Sequence, residues 1–342
     1  MRELQQQLTK GPLLDRAGQL VEAGWSTKPV RTYDRNAIRA PWHRIKEWDY
    51  YCILSKDFAI APVIADNSYM GFLGLAWMDF RNKKTIEFGA TPFLTRGKTG
   101  MPSSSETGDL VVSHPKISLS FKHSEGGRIL SFCCPDFDKG GGLEGEIELR
   151  QPDMDSMVIA TPFPEAPRAF YYNQKVNCMP ASGSLRLSGQ DYNFESDKDF
   201  GVLDWGRGVW TYKNTWYWGS ASGINNDKPF GFNIGYGFGD TSAASENMIF
   251  YDGKAHKFDQ VAFQIPRESF DEQPWRFSSS DGRFEMDFIP IVDRHSDTDL
   301  KIIRSRAHQV FGLFSGKVIL DDGEVLQIDN LLGFAEEVLN LW

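Results

Sequence analysis

Residues 48–80 read WDYYCILSKDFAIAPVIADNSYMGFLGLAWMDF, and this stretch gives the clearest indication of the fold. Its apolar runs are rich in aromatic and β-branched residues, which favour pleated and partly buried strands. Short polar segments of the type found in turns separate the runs. Pro62 lies inside the second run and is compatible with an edge strand or a bulge. We therefore predict almost continuous β-strand from Trp48 to Phe80.

Strand signals continue on both sides of this stretch. Ile117, Leu119 and Phe121 alternate with serines, as expected for a strand with one solvent-exposed face. No alternation of strands with long helices is present, which excludes a doubly wound α/β fold. The second half of the chain contains three Asp-Gly pairs that favour type I′ hairpin turns between antiparallel strands. These pairs are Asp252-Gly253, Asp281-Gly282 and Asp322-Gly323. The predicted fold class is all-β.

The chain divides into an approach segment, residues 1–35, and two β-rich halves. Apolar residues in the approach segment are spaced as on one face of a short amphipathic helix that ends at Gly24. They are Leu13, Leu14, Ala17, Leu20 and Val21. The proline-rich stretch 162–183 shows little alternation, and we interpret it as the crossing between the halves. The predicted domains are residues 36–184 and 185–342, each of about 150 residues, which suits one closed barrel.

The composition restricts the possible classes of function. The chain has 342 residues, of which 41% are hydrophobic and 24% are charged, close to the average of folded globular proteins. No apolar run approaches the roughly 20 residues that cross a bilayer, and the polar amino terminus lacks a signal-peptide core. We therefore expect a soluble, cytoplasmic protein without stable membrane insertion. The formal charge of −9 disfavours nucleic acid as a partner, because phosphates require a basic surface.

The cysteines and histidines form no metal-binding pattern. The sequence contains four cysteines and six histidines, with no CxxC, HxH or HExxH spacing. We predict no metal and no other cofactor, and we expect reduced thiols. The composition does not define the oligomeric state.

The segment 204–223, DWGRGVWTYKNTWYWGSASG, contains the densest group of aromatic residues. Successive side chains of an extended strand point to opposite faces, so Trp216 and Trp218 share one face, which Asn214 continues. Two interpretations are open: the aromatic core of a β-barrel, or the wall of an apolar small-molecule pocket with a few polar groups. The tryptophans of the segment are Trp205, Trp210, Trp216 and Trp218.

One acid and one guanidinium lie in the same segment. Alternation places Asp204 on the opposite face from Arg207 unless the backbone kinks at Gly206. If the tryptophans are core residues, the two charged residues form a structural ion pair. If the tryptophans line a pocket, burial raises the pKa of Asp204 and makes it a candidate general acid. Arg207 is then its tuning partner or an anchor for an anionic group, and Tyr236 is a candidate to assist proton transfer.

Further polar residues outside the segment are candidate contacts for a ligand. They are Asp66, Tyr69, Asp240, Glu246 and Asn247. Asp66 is followed by Asn67, a pair that most often marks a turn, so a structural role competes with the ligand-binding role there.

The blocks DWGRGVW (204–210) and NTWYWGSASG (214–223) resemble the bacterial domain of unknown function 2804 family. The resemblance extends from about residue 10 to the end of the chain. More distantly, the architecture is similar to the tandem lipocalin-like carotenoid hydratases and AttH-like proteins. This resemblance implies two lipocalin-like antiparallel β-barrels or sandwiches packed side by side, capped by the predicted helix. It also implies a hydrophobic small-molecule partner, such as an isoprenoid, a polyene or a lipid.

Three hypotheses for the function remain open. The first is an enzyme that hydrates, isomerises or cyclises an apolar substrate by protonating it. The second is a lipid-binding or carrier protein without catalysis. The third is a structural or partner-binding β protein with a packed aromatic core. An open cavity lined by Trp216 and Trp218 favours the first two, and a filled interior favours the third.

Overall fold

The computed structural model describes residues 5–299 and 304–342, and it consists almost entirely of antiparallel β-sheet. One sheet of 13 strands curls into a near barrel, and a second sheet of nine strands forms a half-barrel. The prediction of an all-β, lipocalin-like fold is therefore confirmed. No helix among the described residues is long and apolar enough to span a membrane.

The first sheet has the main strand order β7-β6-β5-β4-β15-β13-β11-β10-β9-β8, with β2, β12 and β14 paired beside it. Its strands are β2 (Gly24–Ser26), β4 (Ile45–Leu54), β5 (Phe58–Asp66), β6 (Gly71–Asp79), β7 (Lys84–Ala90), β8 (Leu110–His114), β9 (Ile117–Ser124), β10 (Gly127–Cys134), β11 (Leu143–Arg150), β12 (Met157–Pro162), β13 (Phe170–Leu187), β14 (Gln190–Phe194) and β15 (Phe200–Val209). A separate parallel pair is formed by β1 (Gly11–Pro12) and β3 (Arg31–Thr32). Strands β4, β5 and β6 cover most of residues 48–80, as predicted.

The second sheet has the strand order β19-β18-β17-β16-β24-β23-β22-β21-β20. Its strands are β16 (Lys213–Asn225), β17 (Lys228–Tyr236), β18 (Met248–Tyr251), β19 (Lys254–Lys257), β20 (Val261–Gln264), β21 (Trp275–Ser279), β22 (Phe284–Asp299), β23 (Arg304–Ile319) and β24 (Val325–Leu341). Each predicted Asp-Gly turn joins two antiparallel strands of this sheet.

Strand alternation divides the buried residues into three cores. Tyr51 of β4 faces the interior of the first sheet, whereas its neighbour Cys52 faces the second sheet. On β24, Ala335 faces the interior of the half-barrel, and Phe334 faces the first sheet. The third core therefore lies between the two sheets, and it is built from the outer faces of their central strands.

The helix predicted in the approach segment is not formed. Leu13 and Val21 instead pair through their backbones, since the N–H of Val21 donates to the carbonyl of Leu13 at 3.0 Å. The carboxylate of Asp15 accepts hydrogen bonds from the backbone N–H groups of Ala17 and Gln19, at 2.8 and 2.9 Å. Such local bonds favour a turn over a helix. In the part of the chain that the structure describes, Arg35–Ala37 and Trp42–Arg44 form 3₁₀ turns, and Phe137–Gly140 forms a tight turn with positive φ angles at Asp138 and Lys139.

The chain passes from the first sheet to the second between Val209 and Lys213. Strands β14 and β15 follow residue 185 in sequence but belong to the first sheet. The division into domains at residues 184 and 185 stays a prediction, and the passage between sheets lies inside the tryptophan-rich segment.

Candidate active site

A buried ion pair lies on the outer face of the first sheet, directed toward the second sheet. Asp204 of β15 is the direct neighbour of Lys175 on β13. The Lys175 ammonium lies 2.8 Å from Oδ2 of Asp204, and the two side chains are only 4% and 12% exposed. The amide of Asn173 donates to Oδ1 of Asp204 at 2.6 Å. Both carboxylate oxygens are therefore held, which a buried charge requires.

Arg207 is not a partner of Asp204, so the ion pair considered from the sequence is not formed. Its guanidinium points into the first barrel, where it donates to Asp49 at 2.9 Å and to the carbonyl of Trp48 at 2.8 Å. It also lies 4.2 Å from the ring centre of Trp205. The alternation that placed Arg207 opposite Asp204 holds along β15, and the side chain is fully buried. Its partners are thus structural groups of the first sheet.

Glu246 brings a second carboxyl group to the ion pair. It lies just before β18, over Gly235, where a Cβ would be only 2.9 Å from the Glu246 carboxyl carbon. Burial raises the pKa of Glu246 to about 7, although Lys175 lowers it, and the carboxylate of Asp204 raises it further. Within residues 5–299 and 304–342, no side chain or backbone group donates a hydrogen bond to this carboxyl group. Near neutral pH it can therefore release a proton.

Glu336 of β24 supplies a third carboxyl group, which the sequence analysis missed. It is the direct neighbour of Trp218 on β16. Trp216 donates its indole N–H to Glu336 at 2.9 Å, and Gln309 donates its amide at 3.1 Å. Burial raises the pKa of Glu336 to about 7. The available signal was a pair of acids within the apolar stretch 333–342, GFAEEVLNLW.

Aromatic rings lie beside the ion pair and beside Glu336. The Lys175 ammonium lies 3.9 Å from the ring centre of Trp218, which favours the positive charge. Trp218 contacts Tyr50 edge to face at 6.1 Å, and Trp210 contacts Trp216 at 5.8 Å. Tyr50 and Trp216 are partly exposed. We call this group the interface site and define it as Asp204, Lys175, Glu246, Glu336, Trp216 and Trp218.

Tyr236 lies on the other side of the second sheet from the interface site. Its ring stacks on Tyr217 at 4.5 Å and meets Phe263 at 5.4 Å inside the half-barrel. Trp205, on β15, likewise points away from the site, into the core of the first barrel. With Arg207, the structure therefore separates three predicted site residues from Asp204.

The remaining predicted residues mostly hold local structure. Asn214 bonds to Thr211, and Asp240 accepts from the N–H of Ser242 at 2.9 Å. Asn247 joins two segments through the N–H of Gly235 and the carbonyl of Asp259, each at 2.8 Å. None of these three residues forms a hydrogen bond with the carboxyl groups of the interface site.

Asp66 is buried and organises a loop of the first sheet. Its carboxylate accepts hydrogen bonds from the hydroxyls of Thr95 at 2.7 Å and Thr99 at 2.8 Å. Burial raises its pKa, but these bonds outweigh burial and leave the pKa below its ordinary value. The turn interpretation of Asp66 agrees with the bond from the N–H of Ser68, at 2.8 Å. Tyr69 lies nearby, over Lys46.

Gly206 allows the aromatic rings to approach β15. A Cβ at this position would lie 1.9 Å from the Trp48 ring, which stacks on Tyr171 at 6.1 Å. We expect Gly206→Ala to lower the free energy of unfolding by about 1–3 kcal/mol, because the indole has to shift. Urea denaturation measures this change. Gly223→Ala is the matched control, since its Cβ would meet only the end of the flexible Leu331 side chain. Equal losses in both variants contradict the packing role of Gly206.

Two grooves of the described structure lie on the second sheet, and no residue of the interface site lines them. One, of about 220 Å³, is lined by residues such as Lys213, Asp297 and Arg304. The other, of about 300 Å³, is lined by residues such as Arg276, Asp287 and Lys317. These two grooves therefore do not open the interface site to a ligand.

Two solved structures are similar to this chain. Kievitone hydratase from Nectria haematococca aligns with a TM-score of 0.53 at 12% identity, over 86% of this chain and 88% of that chain. A putative AttH from Nitrosomonas europaea aligns with a TM-score of 0.47 at 13% identity, over 91% and 98%. No curated protein matches the sequence. At such identity, the likeness to kievitone hydratase shows the fold alone. Because the sequence model described as "Domain of unknown function (DUF2804)" matches residues 4–342, the chain belongs to that family, as its tryptophan-rich blocks predicted.

Proposed function

We propose that the protein binds an apolar, unsaturated small molecule at the interface site and adds water to it by acid catalysis. The observation that carries this proposal is the Glu246 carboxyl group. It is buried beside the ion pair of Asp204 and Lys175, it has a pKa raised by burial to about 7, and no described residue bonds to it. A general acid works best when its pKa lies near the working pH.

The proposed reaction gives separate roles to Glu246 and Asp204. The Glu246 carboxyl donates its proton to one carbon of a carbon–carbon double bond, which leaves a carbocation on the other carbon. The faces of Trp216 and Trp218 and the carboxylate of Asp204 stabilise that positive charge. Water adds to the cation, and the Glu246 carboxylate takes the proton that the water releases. The sum is alkene plus water to alcohol, and Glu246 returns to its starting state.

This assignment differs from the sequence interpretation in the identity of the acid. Asp204 is held by the ammonium of Lys175 at 2.8 Å and by the amide of Asn173, so we assign it an electrostatic role. Glu246 takes the role of proton donor. The name of kievitone hydratase supports hydration as the reaction class by analogy of fold only.

A second candidate function follows from the packing at the interface site. No residue of the interface site lines the two grooves described above, and Phe311, Phe334 and Trp218 pack in the core between the sheets. This observation favours a structural or partner-binding protein whose aromatic residues join the two sheets. A carrier without catalysis uses the same surface but needs no proton donor.

An isotope experiment separates these functions. The wild-type protein is incubated with geraniol, β-ionone or retinol in ¹⁸O-labelled water, and mass spectrometry detects products that have gained one labelled water. We expect Glu246→Gln to lower the rate by a factor of about 10²–10⁴, since the amide cannot donate that proton. Glu337→Gln is the matched control, because Glu337 lies on the opposite face of β24, where it accepts from Arg267 at 2.7 Å.

Each outcome points to one of the functions. Product formed by wild type and by Glu337→Gln, but not by Glu246→Gln, supports acid catalysis. If native mass spectrometry detects bound alkene and no product forms, the result supports a carrier. Equal rates in wild type and Glu246→Gln contradict the role of Glu246, and failure of every alkene to bind supports the packed interface.

A further inference from the structure

We propose that Lys46, Tyr69 and Trp210 form an anion-binding site that holds the carboxylate of an apolar ligand whose body extends toward the interface site. This inference deepens the proposed function, on which it rests, because it defines the polar end of the ligand. It rests on the juxtaposition of three buried donors, of which the Tyr69 hydroxyl and the Trp210 indole N–H have no acceptor among the described residues and Lys46 has one long hydrogen bond.

Lys46 is a buried ammonium with little compensation. It is 1% exposed, and its Nζ donates one long hydrogen bond, of 3.4 Å, to the carbonyl of His43. The Nζ lies 4.0 Å from the ring centre of Tyr69 and 5.2 Å from that of Trp342. No carboxylate of the described residues lies within ion-pair distance of it. A buried charge in such a place favours an anionic partner.

Two more donors belong to residues whose rings lie near Trp342. The hydroxyl of Tyr69 and the indole N–H of Trp210 are buried and have no hydrogen-bond partner among the described residues. Burial raises the pKa of Tyr69 above its ordinary value, so its hydroxyl keeps the proton that it can donate. The ring of Trp342 lies 6.4 Å from that of Tyr69 and 6.3 Å from that of Trp210. The indole nitrogen of Trp210 lies 3.1 Å from where a Cβ of Gly208 would be, and Gly208 is the direct neighbour of Lys46. The donors therefore lie at the same end of β4, and they are costly to leave unpaired.

The strand register relates this donor group to the interface site. On the pair of β4 and β15, Lys46 faces Gly208 and Tyr50 faces Asp204. Four residues of extended strand separate the two positions, a distance of about 13 Å. Trp48 lies between them on the same face of β4 and contacts Trp210 at 5.3 Å. The ligand class we infer is an elongated amphiphile, with its carboxylate about 13 Å along β4 from the position that faces Asp204.

The charge of Lys46 also makes the binding depend on pH. Burial and the neighbouring Arg44 lower the pKa of Lys46 to about 7, and Asp66 opposes them. The neutral rings of Tyr69 and Trp342 pack on the ammonium, and His43 offers its carbonyl. Above pH 7 the amine loses its proton and with it the attraction for a carboxylate. With a pKa of about 7, the protonated fraction falls about tenfold between pH 6 and pH 8.

The test uses decanoate and 1-decanol, which share a chain and differ in the anionic head group. Isothermal titration calorimetry with the full chain gives their affinities at pH 6, 7 and 8. In wild type we expect decanoate to bind at least tenfold more tightly than 1-decanol at pH 6, and to lose about tenfold by pH 8. Lys46→Met is expected to remove both the preference and the pH dependence, while it keeps 1-decanol binding. Lys56→Met, on an exposed loop, is the control.

Several results overturn the inference. They are equal affinity of wild type for the two probes, a decanoate preference that survives in Lys46→Met, and absence of decanoate binding. If Lys46→Met fails to fold, Tyr69→Phe replaces it, and an unchanged decanoate preference in that variant also counts against the site. None of these results alters the labelled-water experiment on Glu246, so the two proposals fail separately.

Discussion

Lys175→Met is expected to lower the free energy of unfolding by about 3–5 kcal/mol at pH 8. The substitution keeps the length of the side chain but leaves the Asp204 carboxylate, 12% exposed, with Asn173 as its remaining partner. The ammonium also lowers the pKa values of Glu246 and Glu336, so its loss leaves these carboxyls with less compensation when they ionise. Urea denaturation followed by tryptophan fluorescence measures the change.

The control for this prediction is Lys28→Met. Lys28 and Asp153 form an ion pair of similar length, with Nζ and Oδ1 2.9 Å apart against 2.8 Å for Lys175 and Asp204. Their side chains, however, are 57% and 93% exposed. Solvent screens such a pair, and we expect no measurable loss of stability. The double variant Lys175→Met/Asp204→Leu should recover most of the stability, since no charge is then left buried. Similar losses for Lys28→Met and Lys175→Met contradict the stabilising role of the buried pair.

Sequence patterns predicted the strands because the burial of alternate residues is visible within a few residues of one strand. The period-two alternation at Ile117, Leu119 and Phe121 depends only on which face of one strand is buried. The pair Asp252-Gly253 predicted its turn because both residues adopt positive φ angles there, of 52° and 80°. The helix predicted near Leu13 failed for the converse reason, since Leu13 and Leu14 are buried by contacts with distant parts of the first barrel.

The site was less predictable because its members meet across strands. Alternation placed Trp216 and Trp218 on one face and Asp204 opposite Arg207, and the structure agrees on both points. The partner of Asp204 depends on the pairing of β13 with β15, and no local pattern in the sequence records that register. Lys175 and Glu336 were missed for this reason, as was the isolated ammonium of Lys46. Each looks like an ordinary charged residue until the strand order is known.

The pH dependence of stability should fall into a defined window because of Glu246 and Glu336. Folding raises the pKa of each from 4.5 to about 7 through burial. Between these values the folded protein holds protons that the unfolded chain has released, so stability must fall as the pH rises. The contribution is fully present below pH 4.5 and is lost by about pH 7, at up to about 3 kcal/mol for each carboxyl.

The glutamine variants isolate this contribution from that of the other titrating groups. An amide resembles the protonated carboxyl and cannot ionise, so Glu246→Gln should be more stable than wild type at pH 8, by up to about 3 kcal/mol. Its stability should also fall less steeply between pH 4.5 and 7. Urea denaturation at a series of pH values tests both points, with Glu337→Gln as the control that keeps the wild-type profile. A Glu246→Gln profile parallel to that of wild type means that the carboxyl group is ionised in the folded protein throughout this window. In that case Glu246 has no proton to donate at neutral pH, and the same measurement removes the basis for acid catalysis at the interface site.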